Sequence, residues 1–358
     1  MPDDIRVTFP HLGSYCVPLE VLFTAGLDVD YIVPPPVTAR TLEIGSRYSP
    51  DYVCAPFKYN LGNYIESIEA GANTLIQVGG ACRLGYYGEL HEQILTDLGY
   101  TARFVNMAKA RFSKPLTFYE QLKCINPHMS LTRIGQVLPV VLRMVGIIDE
   151  AEDYIRRHVG LETNEGEFDA THKELLETLC NVSTMKALRE TTAEFTKRLH
   201  AIETKVLDNP LRVGIIGEYY TIMEPFSNHY IEKELAKMGA VVDRWMNISH
   251  SVLHSERKVQ RERIRGYAEY DMGATGMDTI DRALYCARHG YDGLIHVKSF
   301  GCTPEMDVIP VLQNISADYK IPIIYLSYDS QTSEAGIQTR LEAFHDMIVM
   351  RKYGKDRI

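Results

Sequence analysis

With 358 residues the chain exceeds the length over which one hydrophobic core stays sufficient, so two or three domains are expected. Hydrophobic residues make up 45% and charged residues 24%, an ordinary globular composition, and the net charge of −9 leaves no general basic surface to neutralise phosphates, which excludes nucleic acid as an expected partner. Met1-Pro2-Asp3-Asp4 has no basic segment leading into an apolar one, and no run reads as the roughly 18 apolar residues of a membrane span, so a cytoplasmic location without a membrane partner is expected.

In chain order, Ile5 to Phe9, Val29 to Val33, Thr74 to Val78 and Arg103 to Met107 read as short strands rich in β-branched residues. Helical stretches such as Tyr64 to Glu69 and Gly88 to Leu98 separate them, and this alternation predicts a mostly parallel sheet covered on both faces. From about Phe118 to Val206 strand signals almost vanish. Leu188, Thr192, Phe195, Leu199, Ile202 and Val206 recur at steps of three or four, an amphipathic helical stripe, while Glu162 to Asp169 reads as a solvated acidic loop.

Asn209-Pro210 then punctuates the chain, and Arg212 to Ile216 opens a second α/β series. Its further strands are Val241 to Ile248, Gly293 to Val297 and Ile321 to Tyr328, and its helices Ile231 to Met238, Ile280 to Arg288 and Thr339 to Met350. The expected fold is α/β, with two Rossmann-like open-sheet lobes facing a cleft and a helical insert or bridge, divided as 1–115, 116–208 and 209–358.

Seven cysteines, an odd number dispersed over a large chain, argue for reduced thiols, ligands or core residues and against a disulfide framework. Cys54 lies between Pro50 and Pro56, which forbid a regular helix or central strand across it, so it is a loop cysteine. Cys82 follows the strand Thr74 to Val78 and Gly79-Gly80-Ala81, directly before a helix. Cys302 repeats that address, with a strand through Val297 before it and Thr303-Pro304-Glu305 opening the next helix. A thiolate beside a helix start has a lowered pKa, which suits a metal ligand or a nucleophile. Three in one crevice suit a metal cluster, although no pair has ferredoxin or zinc-finger spacing, and a small buried hydrophobe is the competing reading. Cys124, Cys180 and Cys286 fall in helical patterns and read as such core residues; Cys16 stays undecided.

Softer candidates accompany these. Gly214-Ile215-Ile216-Gly217 follows a strand without completing a dinucleotide fingerprint. Glu218, at that strand's end, reads as an acid–base group or a helix-capping carboxylate, the cap being favoured. The turn Gly273-Ala274-Thr275-Gly276 cradles a ligand or merely starts a helix, and His229, His250, His254 and His296 lack metal-site spacing and read as surface or core residues.

The runs Cys54-Ala55-Pro56-Phe57-Lys58 with Leu61-Gly62-Asn63, Gly79 to Tyr87, and Phe300-Gly301-Cys302-Thr303-Pro304-Glu305 resemble the CoA-enzyme activase proteins of the 2-hydroxyacyl-CoA dehydratase and benzoyl-CoA reductase superfamily. Pro34-Pro35-Pro36, Thr41 to Gly45, Gly217-Glu218-Tyr219-Tyr220 and Thr332 to Phe344 extend the likeness through both α/β zones; it is weakest in the helical middle. The resemblance implies an anaerobic iron–sulfur protein in which Cys54, Cys82 and Cys302 hold a [4Fe–4S] cluster, or the larger double-cubane [8Fe–9S] form. It also implies an actin-like-fold ATPase activator as electron donor, one-electron reduction of an acyl-CoA thioester or another small molecule, and pairing as a homodimer or heterodimer. The phosphate loops of that ATPase are missing, so the chain reads as the electron acceptor. Only three cysteines match, which favours a single cubane, and Asp329-Ser330 stands where relatives carry Asp-Glu. Arg83 and Lys58 would then balance the reduced cluster's charge, and the backbone at Gly79, Gly80 and Gly301 would hydrogen-bond to its sulfurs. The alternative is a two-lobed ligand-binding or regulatory protein whose cysteines are structural or hold zinc.

Overall fold

The computed structural model describes residues 4–77, 82–107, 115–249 and 257–354. Gly79, Gly80, His250 and His254 lie outside the described residues. The elements run β1 (Arg6–Thr8), α1 (Cys16–Val21, continued by a π turn over Leu22–Gly26), β2 (Asp30–Tyr31), α2 (Ala39–Tyr48), α3 (Ala55–Glu69), β3 (Thr74–Gln77), α4 (Leu84–Asp97) and β4 (Arg103–Asn106). Four helices follow: α5 (Pro115–Ile125), α6 (Leu131–His158), α7 (Glu167–Leu179) and α8 (Met185–Ala201). The chain continues with β5 (Leu211–Gly217), α9 (Tyr219–Met223), α10 (Ile231–Lys237), β6 (Ala240–Arg244), α11 (Arg257–Ile264), α12 (Gly276–Arg288) and β7 (Gly293–Ser299). It ends with α13 (Thr303–Asp307), α14 (Ile309–Tyr319), β8 (Ile323–Tyr328) and α15 (Glu334–Tyr353).

The fold is α/β with two Rossmann-like lobes, each built on a four-stranded parallel sheet. The strand orders, β2-β1-β3-β4 and β6-β5-β7-β8, are the same arrangement, so β3 and β7 are equivalent strands. Each sheet reverses its direction of growth between its first and third strands, the topological switch point where open α/β sheets bind ligands. By contacts the chain parts into Met1–Ile148 with Lys173–Phe195, and Asp149–His172 with Thr196–Ile358, so the helices between β4 and β5 are shared out.

In the first unit one face of the sheet packs Val7, Ile76 and Val105 against Phe23, Leu122, Ile125 and Ile134. Leu75 on the other face meets Phe57, Leu61 and Tyr64 of α3 and Tyr87 and Leu95 of α4. Helices α2 and α3 approach through glycines: a Cβ on Gly45 would collide with the Lys58 carbonyl, and one on Gly62 with that of Thr41. Buried Asn63 accepts from His11 N–H (2.8 Å) and donates to the Pro35 carbonyl (2.8 Å), tying the segments after β1 and β2 to α3. This explains why Gly45, Gly62, Asn63 and the proline run occur together.

In the second unit Val213, Ile215, Ile295, Val297 and Leu326 face α10 and α15, while Ile216 and Leu294 face α12 and α14. The segment 149–172 is fastened to this unit by charge. Buried Arg156 pairs with Asp153 and with Glu232 (2.9 Å), Arg244 pairs with the same Glu232 (3.0 Å), and Arg157 reaches Asp243 (2.7 Å).

Several expectations are corrected. Glu162 is buried and accepts from Gly160 N–H (2.6 Å) and Gly166 N–H (3.3 Å), and Phe168 is fully buried, so Glu162 to Asp169 is a folded connection that enters α7 at Glu167 rather than a solvated loop. The stripe from Leu188 ends at Ile202, because α8 stops at Ala201 and Val206 is 96% exposed. Helix α6 is long and apolar enough by length and composition to cross a membrane, against the expectation that no segment is; 44% of its apolar window is buried, and Ile134, Val137, Val140, Val141, Met144 and Ile148 are among the core residues it supplies. Cys124, expected in the core, is exposed on α5 because the inward face of that helix is taken by Leu122 and Ile125.

Candidate functional site

Cys54 is the N-cap of α3: its own backbone is extended, and Pro56 at the second helical position has the fixed φ a first turn accepts. Its half-buried Sγ lies 2.9 Å from the Tyr87 hydroxyl, and its carbonyl accepts from Phe57 N–H (3.1 Å). Cys82 is exposed between β3 and α4; its Sγ accepts from Leu84 N–H (3.5 Å) and its carbonyl from Gly85 N–H (3.1 Å). Tyr87 stands in the first turn of α4 within electrostatic reach of both thiols. Burial first, and then the charge of Cys54 and, more weakly, of Cys82, push its phenol well above the ordinary tyrosine range.

An aromatic stack holds that phenol. Phe57 meets the Tyr87 ring edge-on (centroids 4.8 Å apart, 85°) and lies flat against His91 (4.0 Å, 28°). His91, fully buried four residues after Tyr87 on α4, places Nε2 3.1 Å from the Phe57 carbonyl. Burial lowers its pKa to about 4, so near neutrality it is uncharged and Nε2 carries the donated proton.

Cys302 is the half-buried N-cap of α13, its N–H returned to the Ser299 carbonyl at the end of β7 (3.0 Å). What supports it is polar. Glu305, one turn on, is completely buried; it faces His296 Nε2 at 2.7 Å and accepts from the Thr275 hydroxyl and from that of Thr279 (3.1 Å). His296 and Lys298 sit two apart on β7 and therefore share a face. Lys298 donates to Ser327 Oγ on β8 (3.1 Å); burial lowers its pKa, opposed by the charges of Cys302 and Glu305.

Glu218 follows β5 as the N-cap of α9, accepting from Tyr220 N–H (2.7 Å) and Thr221 N–H (3.1 Å). Burial raises its pKa, the bonds from Thr221 and Tyr220 hold it back, and the charge of Glu305 adds to the rise. The Gly273–Gly276 turn starts α12, and its Thr275 serves Glu305. Fully buried Cys286 is a core residue whose thiol is pushed up by burial. Cys180, just past α7, is raised to about 12 by burial and then by Glu20, and Cys16 places Sγ 3.6 Å from the Gly13 carbonyl.

In the first unit Cys54 contacts the Tyr87 phenol and Cys82 acts on it electrostatically, while Cys302 and Glu218 belong to the second. Among the described residues no three His, Cys, Asp or Glu side chains are grouped so as to hold a metal ion. In kind, the donors fit an iron–sulfur centre: they are thiols only, each within two residues of a helix start. Two features escaped the sequence reading. The His296–Glu305 pair is signalled only by the alternation of His296 and Lys298, and the Tyr87–His91 pair by its spacing of four on one helix.

Fold and site together define an α/β protein with two parallel-sheet lobes and a helix-edge cysteine after each of two equivalent strands. No protein-family profile matches the sequence, and no curated protein is significantly similar to it.

Proposed function

We propose that the chain is a cytoplasmic iron–sulfur redox protein of the 2-hydroxyacyl-CoA dehydratase type, with Cys54, Cys82 and Cys302 as ligands of a [4Fe–4S] cluster. The observation that carries the reading is positional: Cys82 and Cys302 follow the equivalent strands β3 and β7, each directly ahead of a helix. Cys54 contacts the Tyr87 phenol, on which the charge of Cys82 also acts. A cluster with three thiolate ligands supplies a low-potential electron and one iron open to a substrate oxygen. The chain's own groups orient the sulfurs: α3 fixes Cys54 at its N-cap, the Leu84 N–H points at Cys82, and Glu305 locks the turn that bears Cys302. In this reading the electron comes from an ATPase activator of actin-like fold, the acceptor is an acyl-CoA or similar small molecule, and the chain works as a homodimer or heterodimer.

The test is anaerobic purification with iron and acid-labile sulfide assays on four variants. Cys54→Ser, Cys82→Ser and Cys302→Ser are each expected to lose most of the iron and the visible absorption, and Cys286→Ser to keep both. A colourless, iron-free wild-type protein from iron-replete anaerobic cells overturns the proposal.

A further inference from the structure

The Tyr87 hydroxyl and the Cys54 sulfur are 2.9 Å apart. A free thiol and a phenol can each donate across such a contact, but a metal-bound thiolate has no proton to give, so across this contact the phenol is the donor. Its direction is fixed from both ends. Tyr87 is buried, at 6% exposure, its ring braced edge-on by Phe57, which in turn stacks on His91, and it is anchored in the first turn of α4.

We propose that Tyr87 is a positioning residue that sets the reduction potential of the centre Cys54 ligates, by donating its hydroxyl hydrogen to the Cys54 sulfur. The inference rests on the iron–sulfur reading and deepens it, since neither the cysteine spacing nor the resemblance assigns Tyr87 a role. A reduced cluster carries one more negative charge than the oxidised one, and much of that charge sits on sulfur. A donor hydrogen at hydrogen-bond distance therefore stabilises the reduced state more than the oxidised state and raises the potential. The phenol keeps its proton throughout; the electron comes from the external reductant and no bond is made or broken at Tyr87.

The experiment compares wild type, Tyr87→Phe and, as control, Tyr86→Phe, whose ring is 78% exposed. Each is purified anaerobically, assayed for iron and titrated with dithionite in the presence of redox mediators, the reduced state being followed by electron paramagnetic resonance. Phenylalanine keeps the ring that packs on Phe57, and thermal melting confirms folding. Tyr87→Phe is expected to hold wild-type iron and to titrate at a lower potential. The expected fall is at least tenfold in the equilibrium constant for reduction, about 59 mV for one electron, with an altered resonance spectrum; Tyr86→Phe should match wild type. An iron-loaded Tyr87→Phe with unchanged potential and spectrum overturns the inference while leaving the iron–sulfur reading intact. Loss of iron from Tyr87→Phe alone, at unchanged melting temperature, also overturns it, because the phenol would then hold the cluster rather than tune it. Absence of iron from wild type removes the iron–sulfur reading and this inference with it.

Discussion

Strand β3 of the first unit and β7 of the second each run into a cysteine and then a helix, yet the two cysteines are supported by different chemistry. Around Cys82 and Cys54 the support is aromatic: Tyr87, Phe57 and an uncharged His91 stack one on the next. Beneath Cys302 it is polar: Glu305 gathers His296, Thr275 and Thr279 with no solvent contact. Stacked rings are held by area and shape and tolerate loss of one polar group. A buried carboxylate is held by its partners, and removing either side strands the other in a low-dielectric interior. Equal topology therefore predicts unequal sensitivity.

The largest expected effect lies in the second unit. Glu305→Ala should lower unfolding free energy by about 3–5 kcal/mol, the usual result of leaving half of a buried pair, measured by urea denaturation. A loss below ~1 kcal/mol would show that the pair adds little.

Next comes acid sensitivity in the first unit. His91 has a folded pKa of about 4 against the usual 6.5, so between those values the unfolded chain binds more protons. Stability is then full above about pH 6.5 and falls as pH drops toward about 4, by roughly 3 kcal/mol in all. His91→Phe should flatten that part of the pH–stability curve; an unchanged slope would assign the acid sensitivity to other groups.

The smallest effect separates two roles for Glu218. As a helix cap, its replacement by alanine should cost about 1 kcal/mol and leave the iron content and potential of the anaerobic protein at wild-type values. A shift in potential without loss of stability would instead give Glu218 a part in the chemistry.

Much of the architecture was legible because it follows from local rules. Alternating β-branched runs and helical stretches mark both sheets, and prolines and glycines around Cys54, Cys82 and Cys302 mark helix starts, since φ limits and missing donors act within a few residues. Misreadings arose where sequence character and burial part company. Glu162 looks solvated by composition but is drawn inside by the N–H groups of Gly160 and Gly166, and Cys124 looks apolar but sits on the outer face of α5.

By itself, then, the sequence determined the α/β class, the two repeated sheets and the placement of three cysteines beside helix starts, because each depends on periodicity or on neighbours along the chain. Only the tertiary structure decided that Tyr87 meets Cys54 across 33 residues, and that Glu305 closes on His296, Thr275 and Thr279. Such contacts come from strand order and helix packing, which bring distant side chains together with no mark in the spacing of either partner.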